Sequence, residues 1–180
     1  MIMGSQIKGI PENSIEQISK IVKSRKCDIV YDISGPKMLD ILRFEPFVIK
    51  PNVKELEEIF KTNIQTYKDI KKYANKLRKL GAKNVIISND DKGAYLFNDK
   101  EEIFVEPLKI KFISGSGAGD SMIAGFVAKY EETKDYIKSI NFANACGAAS
   151  AACKTIASAN KIQELYKKTK FKSKGEIYDR

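Results

Sequence analysis

The stretch Ser114-Gly115-Ser116-Gly117-Ala118-Gly119-Asp120-Ser121 carries residue types suited to chemistry on an anion. It runs into Met122-Ile123-Ala124-Gly125-Phe126-Val127-Ala128, so it reads as a glycine-rich turn opening a helix. Glycine tolerates positive φ and lets backbone amides approach a ligand closely. The first amides of a helix lack internal partners and carry partial positive charge. Together these features make a seat for an anion, most often a phosphate. Asp120 stands at that seat, where a carboxylate could take a proton from an attacking hydroxyl. A phosphate seat with a base beside it suggests phosphoryl transfer. Local sequence leaves a second reading open: the glycines make a tight turn and Asp120 complements the helix dipole. Two rival motifs fail on spacing. The dinucleotide fingerprint Gly-x-Gly-x-x-Gly ends here on Asp120 instead of glycine. The Walker loop needs Gly-Lys-Ser/Thr, a triplet the chain lacks.

Composition narrows the chemistry further. There is no histidine, which excludes a Ser-His-Asp triad, a Cys-His pair and any His-bound zinc. A general base must come from another side chain, which raises the interest of Asp120. Cys27, Cys146 and Cys153 show neither paired spacing nor a metal motif, so reduced thiols in a cytoplasmic protein are expected. No run of apolar residues is long enough for a membrane span, and no signal-peptide pattern opens the chain. The formal charge of +9 reads as a lysine-coated surface. Lys68, Lys71, Lys72, Lys76 and Lys79 recur along one expected helix as a solvated face would. No aromatic-interleaved basic patch or zinc-finger spacing points to nucleic acid.

The elements that must position these residues follow from pattern. Pro11 to Lys23 reads as a helix with Ile15, Ile18, Ile21 and Val22 on one apolar face. Asp28 to Ile33 and Phe47 to Lys50 read as strands, with a brief helix from Gly35-Pro36 to Arg43 between them. Asn52 to Phe60 reads as a helix whose Asn52 and Glu55 have capping-box spacing. Thr66 caps a helix to Leu80 that turns Tyr67, Ile70, Tyr73, Ala74 and Leu77 inward. Asn84 to Ser88 is a buried strand, residues 90–93 a turn, and Ala94 to Phe97 the returning strand. Glu102 to Val105 and Ile110 to Ile113 read as strands. Helices are expected at Asp120 to Tyr130, Asp135 to Ile156 and Lys161 to Lys168, with a frayed basic tail. The second of these is rich in alanine and glycine, which permits close packing. Strands alternating with helices predict an α/β fold: one domain over residues 1–180, a three-layer α/β/α arrangement with a mostly parallel sheet. In such sheets ligands sit beyond the strand C-termini, where Ser88 and the stretch from Gly115 to Asp120 are expected to converge.

Gly117-Ala118-Gly119-Asp120-Ser121 with Ala124-Gly125 resembles the C-terminal signature of the ribokinase-like (PfkB) carbohydrate kinases. Four further stretches agree in family order. They are Gly4-Ser5 with Lys8-Gly9-Ile10-Pro11, Tyr31-Asp32-Ile33-Ser34-Gly35, Lys50-Pro51-Asn52 with Glu55-Leu56, and Ser88 to Gly93. The resemblance covers nearly the whole chain but only the C-terminal part of the family's architecture. It therefore implies a ribokinase-like sheet truncated on its N-terminal side: a fragment, a split gene product or a shortened reading frame without the sugar-binding half.

What the resemblance implies is specific. The reaction is ATP-dependent phosphorylation of a ketohexose phosphate, fructose 1-phosphate to fructose 1,6-bisphosphate first and tagatose 6-phosphate next. Asp120 is the base, and the Gly117-Ala118-Gly119 turn is the anion hole. ATP lies along Ser88, Asn89, Asp90, Asp91, Lys92 and Gly93, with Lys50 and Asn52 in the nucleotide site and the adenine near Asn144 and Ala148. Asn52 and Glu55 organise Mg²⁺, which keeps several waters and takes few protein carboxylates. Capping and magnesium positioning are compatible roles. The family usually has Ser-Leu-Gly where this chain has Ser88-Asn89-Asp90, which adds negative charge beside the phosphates. The expected partners are ATP and a sugar phosphate, with neither nucleic acid nor membrane. A homodimer, or a partner chain supplying the missing half, is left open. The alternative is a nucleotide-binding module without catalysis of its own.

Overall fold

The computed structural model describes residues 1–3, 11 and 13–177. Gly4-Ser5 and Lys8-Gly9-Ile10 lie outside the described residues. Among the described residues seven strands form one sheet in chain order. The sequence reads as one domain, and contacts divide it into two compact units: residues 1–88 with 97–100, and residues 89–96 with 101–177.

The first unit is a run of β-α-β crossovers. Strands β1 (Ile2–Met3), β2 (Val30–Asp32), β3 (Val48–Ile49) and β4 (Asn84–Ser88) pair in parallel, each with the next. Parallel neighbours cannot be joined by a tight turn, so helices fill the connections. These are α1 (Ser14–Ser24), α2 (Lys37–Ile41) followed by a short 3₁₀ turn, α3 (Val53–Phe60) and α4 (Tyr67–Lys79). Val85, Ile86 and Ile87 are all fully buried although successive strand residues face opposite ways. Both faces of the sheet are therefore covered, as a layered α/β/α fold requires. Helix α4 is placed as its sequence predicts. Thr66 accepts from the Asp69 N–H, Asp69 accepts from the Thr66 N–H, and Ile70, Ala74 and Leu77 form the buried stripe. Helix α1 departs from its pattern. Ile18 and Ile21 are exposed, and the buried position is Ser19, flanked by half-buried Ile15 and Val22. The reason is Tyr31, a fully buried tyrosine on β2 whose hydroxyl needs a partner. Ser19 bonds to that hydroxyl and donates to the Ile15 carbonyl.

The second unit holds β5 (Ala94–Phe97, its last residue grouping with the first unit), β6 (Glu102–Val105) and β7 (Phe171–Ser173). It also holds helices α5 (Ala118–Thr133), α6 (Tyr136–Ala151) and α7 (Ala159–Tyr166). Helices α5 and α6 pack at very short range. A Cβ on Gly125 would lie 2.6 Å from the Cys146 sulfur, and one on Gly147 3.3 Å from the Ala118 carbonyl oxygen. Burial between these helices pushes the Cys146 thiol up to about 11. Two local expectations change. Residues 110–113 form no strand: Phe112 and Ile113 are exposed, and the Ile113 and Ser114 N–H groups donate to the Ala151 carbonyl at the end of α6. The tail supplies a strand instead, β7, which pairs antiparallel with β6 through Ile103–Ser173, Phe104–Lys172 and Val105–Phe171.

Candidate active site

In the first unit the C-terminal ends of three neighbouring parallel strands gather the predicted residues. Val30 stands opposite Val48 and Tyr31 opposite Ile49, so the next pair along is Asp32 and Lys50. Lys50 is only 6% exposed, and its Nζ lies 3.3 Å from Asp32 Oδ2. A buried ammonium needs such a partner, because an unpaired charge there would be strongly destabilising. Two residues on, the Asn52 backbone bridges in parallel to Ser88 at the end of β4, and the Ser88 N–H donates to the Pro51 carbonyl at 3.2 Å. Lys50, Asn52, Glu55 and Ser88 thus lie at neighbouring strand ends of the first unit.

Asn52 and Glu55 form a complete capping box on α3. Asn52 Oδ1 accepts from the Glu55 N–H at 2.8 Å, and Glu55 Oε2 accepts from the Asn52 N–H at 2.8 Å. The other carboxylate oxygen, Oε1, accepts from the Ser34 hydroxyl at 2.7 Å. Asp32 and Ser34 lie in the recognised Tyr31–Gly35 stretch but carry no predicted role. Their place became visible only through the register of β2 on β3 and the reach of Glu55. The donor set can be tested against a metal. Among the described residues no group of three or more His, Cys, Asp or Glu side chains comes together. The set does not fit a protein-made cage. It fits a divalent cation carried on phosphates with its water shell, met by one carboxylate and one amide oxygen.

The second unit holds the remaining candidates. After Ser88 the chain turns through Asp90–Lys92 in a 3₁₀ turn, with the Asn89 N–H donating to the Gly93 carbonyl at 2.9 Å. Asp90 takes φ 45°, a conformation aspartate tolerates better than most residues. Gly93 takes φ 98°, and a Cβ there would sit 2.3 Å from the Val105 carbonyl oxygen. Only glycine fits. The side chains of Asp90, Asp91 and Lys92 are exposed.

The glycine-rich stretch does open a helix. Gly117 is the N-cap of α5 with φ 74°, and no side chain caps the first turn. The Ala118 N–H turns back to the Gly115 carbonyl at 3.2 Å. Of the three predicted anion-hole residues, Ala118 therefore already has an acceptor. The amides of Gly119 and Asp120 have no acceptor one turn back along the helix, as at any helix start. Asp120 is in the first turn with its side chain exposed. The turn is anchored to α6 through the Ala151 carbonyl, and Ser150 Oγ lies 2.8 Å from Ser121 Oγ. Asn144 and Ala148 sit one turn apart on α6, as predicted, and each also makes a contact within the second unit. The Asn144 amide donates to the Glu106 carbonyl at 2.9 Å, and Ala148 packs on the cluster of Ala145, Ala149, Ala157 and Leu165.

A family model described as pfkB family carbohydrate kinase matches residues 1–162. The chain belongs to the PfkB family of carbohydrate kinases. Among PfkB-family relatives, a 1-phosphofructokinase of Bacillus subtilis is 31% identical over 94% of this chain and 56% of its own length. A D-tagatose-1-phosphate kinase of Bacillus licheniformis is 30% identical over 91% of this chain and 54% of its own. The sequence resemblance implies tagatose 6-phosphate as the second acceptor, whereas the name of this relative carries the 1-phosphate. The solved structure of Escherichia coli phosphofructokinase-2 with fructose-6-phosphate superposes with a TM-score of 0.83 at 26% identity. The match takes in 93% of this chain and 55% of that one. The fold is therefore ribokinase-like, and the chain spans little more than half the length of the relatives it matches. No described helix is long and apolar enough to cross a membrane.

Proposed function

We propose that this chain is the nucleotide-binding part of a sugar-phosphate kinase that moves the γ-phosphoryl group of ATP to a ketohexose phosphate. Fructose 1-phosphate is the favoured acceptor and a tagatose phosphate the next. The observation that carries the reading is the set of Lys50, Asn52, Glu55 and Ser88 at the ends of β3 and β4. Parallel α/β sheets bind their ligands at strand C-termini, and this set lies in a chain of the PfkB family.

Each residue has a part in this reading. The phosphates of ATP follow Ser88 and the turn from Asn89 to Gly93, where Lys92 offers charge. The adenine lies near Asn144 and Ala148. Lys50, held by Asp32, presents fixed positive charge close to Asn52. Glu55 and Asn52 meet the water shell of Mg²⁺. Mg²⁺ neutralises charge on the nucleotide phosphates when bound. Asp120 accepts the proton of the sugar hydroxyl, and the Gly117, Gly119 and Asp120 amides hold negative charge on the group in flight. Little covalent work falls to the protein in such a transfer; position and electrostatics supply most of it. Three free cysteines suit a reducing compartment such as the cytoplasm.

A second reading has its own observation: the chain covers little more than half of its relatives. On that reading it binds nucleotide and needs a separate polypeptide, or a second copy, to complete the sugar site. ADP release measured with fructose 1-phosphate, tagatose 1-phosphate, tagatose 6-phosphate and fructose 6-phosphate decides between them. Turnover that Asp120→Asn abolishes supports the kinase. Saturable ATP binding without turnover supports the module, and absence of both refutes the nucleotide site.

A further inference from the structure

Glu55 has more partners than its helix requires. The capping box engages one carboxylate oxygen, Oε2, and would be complete if nothing touched the other. The last torsion of a glutamate is broad, so a carboxylate held at one oxygen can still rock about that contact. The Ser34 hydroxyl removes this freedom by donating to Oε1 from the loop after β2, 21 residues away in the chain. Fold stability does not demand the bond. Ser34 is exposed, so water could serve its hydroxyl at little net loss. What the bond adds is direction: two donors from two strand ends set the plane of one carboxylate.

We propose that Ser34 is a positioning residue that fixes the Glu55 carboxylate for the hydrated divalent cation of a metal-nucleotide complex. The inference rests on the kinase reading for the presence of that complex, but not on Asp120 or on the identity of the sugar. Each carboxylate oxygen keeps a second lone-pair site that can accept from metal-bound water while the Ser34 hydroxyl and the Asn52 N–H hold the first. Partners of this kind typically change metal affinity by about 10- to 100-fold when removed. Contact through water places the expected effect near the lower end, on the order of tenfold.

The test uses the full chain with Ser34→Ala and Ser34→Thr. The first readout is the water-proton relaxation enhancement as the chain is titrated into Mn²⁺–ATP, which distinguishes Mn²⁺ held in the protein–nucleotide complex from the binary Mn²⁺–ATP complex. The second is thermal unfolding without metal or nucleotide. The inference expects Ser34→Ala to weaken Mn²⁺ retention on the order of tenfold, Ser34→Thr to restore it, and the metal-free melting temperature to stay within about 2 °C for both. Unchanged retention in Ser34→Ala overturns the inference alone. A fall in the metal-free melting temperature matching the lost retention overturns it in favour of a structural bond. Failure of the unsubstituted chain to retain Mn²⁺ with ATP overturns the kinase reading, and this inference with it.

Discussion

Glu55→Gln separates two roles that the wild-type residue combines. Glutamine keeps an oxygen at the third helical position, and a capping box accepts Glu or Gln there. The Asn52 N–H can still be satisfied, and Asn52 Oδ1 still takes the Glu55→Gln backbone N–H. What disappears is a negative charge in the first turn of α3, worth about 0.3–1 kcal/mol at an exposed helix start. For a chain of this size that is a loss of roughly 1–4 °C in melting temperature. The ligand term is larger. A site filled to about 100 times its dissociation constant gains about 2.7 kcal/mol of stability. A tenfold weaker MgATP complex would lose about 1.4 kcal/mol of that, or roughly 3–6 °C of the ligand-induced shift. Thermal unfolding by circular dichroism, with and without MgATP, reads both terms on one sample. The metal-free transition should change little, and the shift with MgATP should be markedly reduced. An unchanged MgATP shift would refute the assignment of the carboxylate to the cation. A metal-free loss above about 2 kcal/mol would show that Glu55 is needed mainly for the fold, since capping alone accounts for about 0.5–2 kcal/mol.

Three other outcomes test the scaffold. Gly125→Ala places a methyl 2.6 Å from the Cys146 sulfur and 3.0 Å from its Cβ, so chemical denaturation should show a loss of about 1–3 kcal/mol. The Asp69 carboxyl is held below its ordinary value of 3.8, first by the Thr66 hydroxyl and then by the Thr66 and Gln65 amides. A depressed folded value means stability that is full above about pH 4 and lost as pH falls through the folded value, so Thr66→Ala should flatten the acid end of a stability–pH curve. Burial pushes the Cys146 thiol up to about 11 while Cys27 is exposed, so at pH 8 a maleimide should label Cys27 in the native chain and reach Cys146 only on unfolding.

Local pattern made most of the fold legible. Thr66 with Asp69, Asn52 with Glu55, and the unbroken Asn84–Ser88 run each carry their physical cause in a few neighbouring residues. The failures share a different cause. Ile18 and Ile21 satisfy helical periodicity, but the position that α1 buries is set by the Tyr31 hydroxyl, a contact 12 residues away. Residues 110–113 alternate like a strand, yet a strand needs a partner, and the end of α6 takes their amides instead. The tail reads as basic and frayed, yet Phe171–Ser173 is ordered because it pairs with the β6 edge. The same division holds at the candidate site. Asn52, Glu55 and the Gly117 turn are readable from spacing. The Ser34 bond and the Asp32–Lys50 pair needed the parallel register of β2 on β3, which no local pattern encodes.

The direct measurement of the central claim is calorimetric titration of the chain with ATP, with and without Mg²⁺. One saturable site per chain, strengthened by Mg²⁺ and weakened by Glu55→Gln, is expected. No heat of binding under either condition, in a chain shown to be folded, would contradict it.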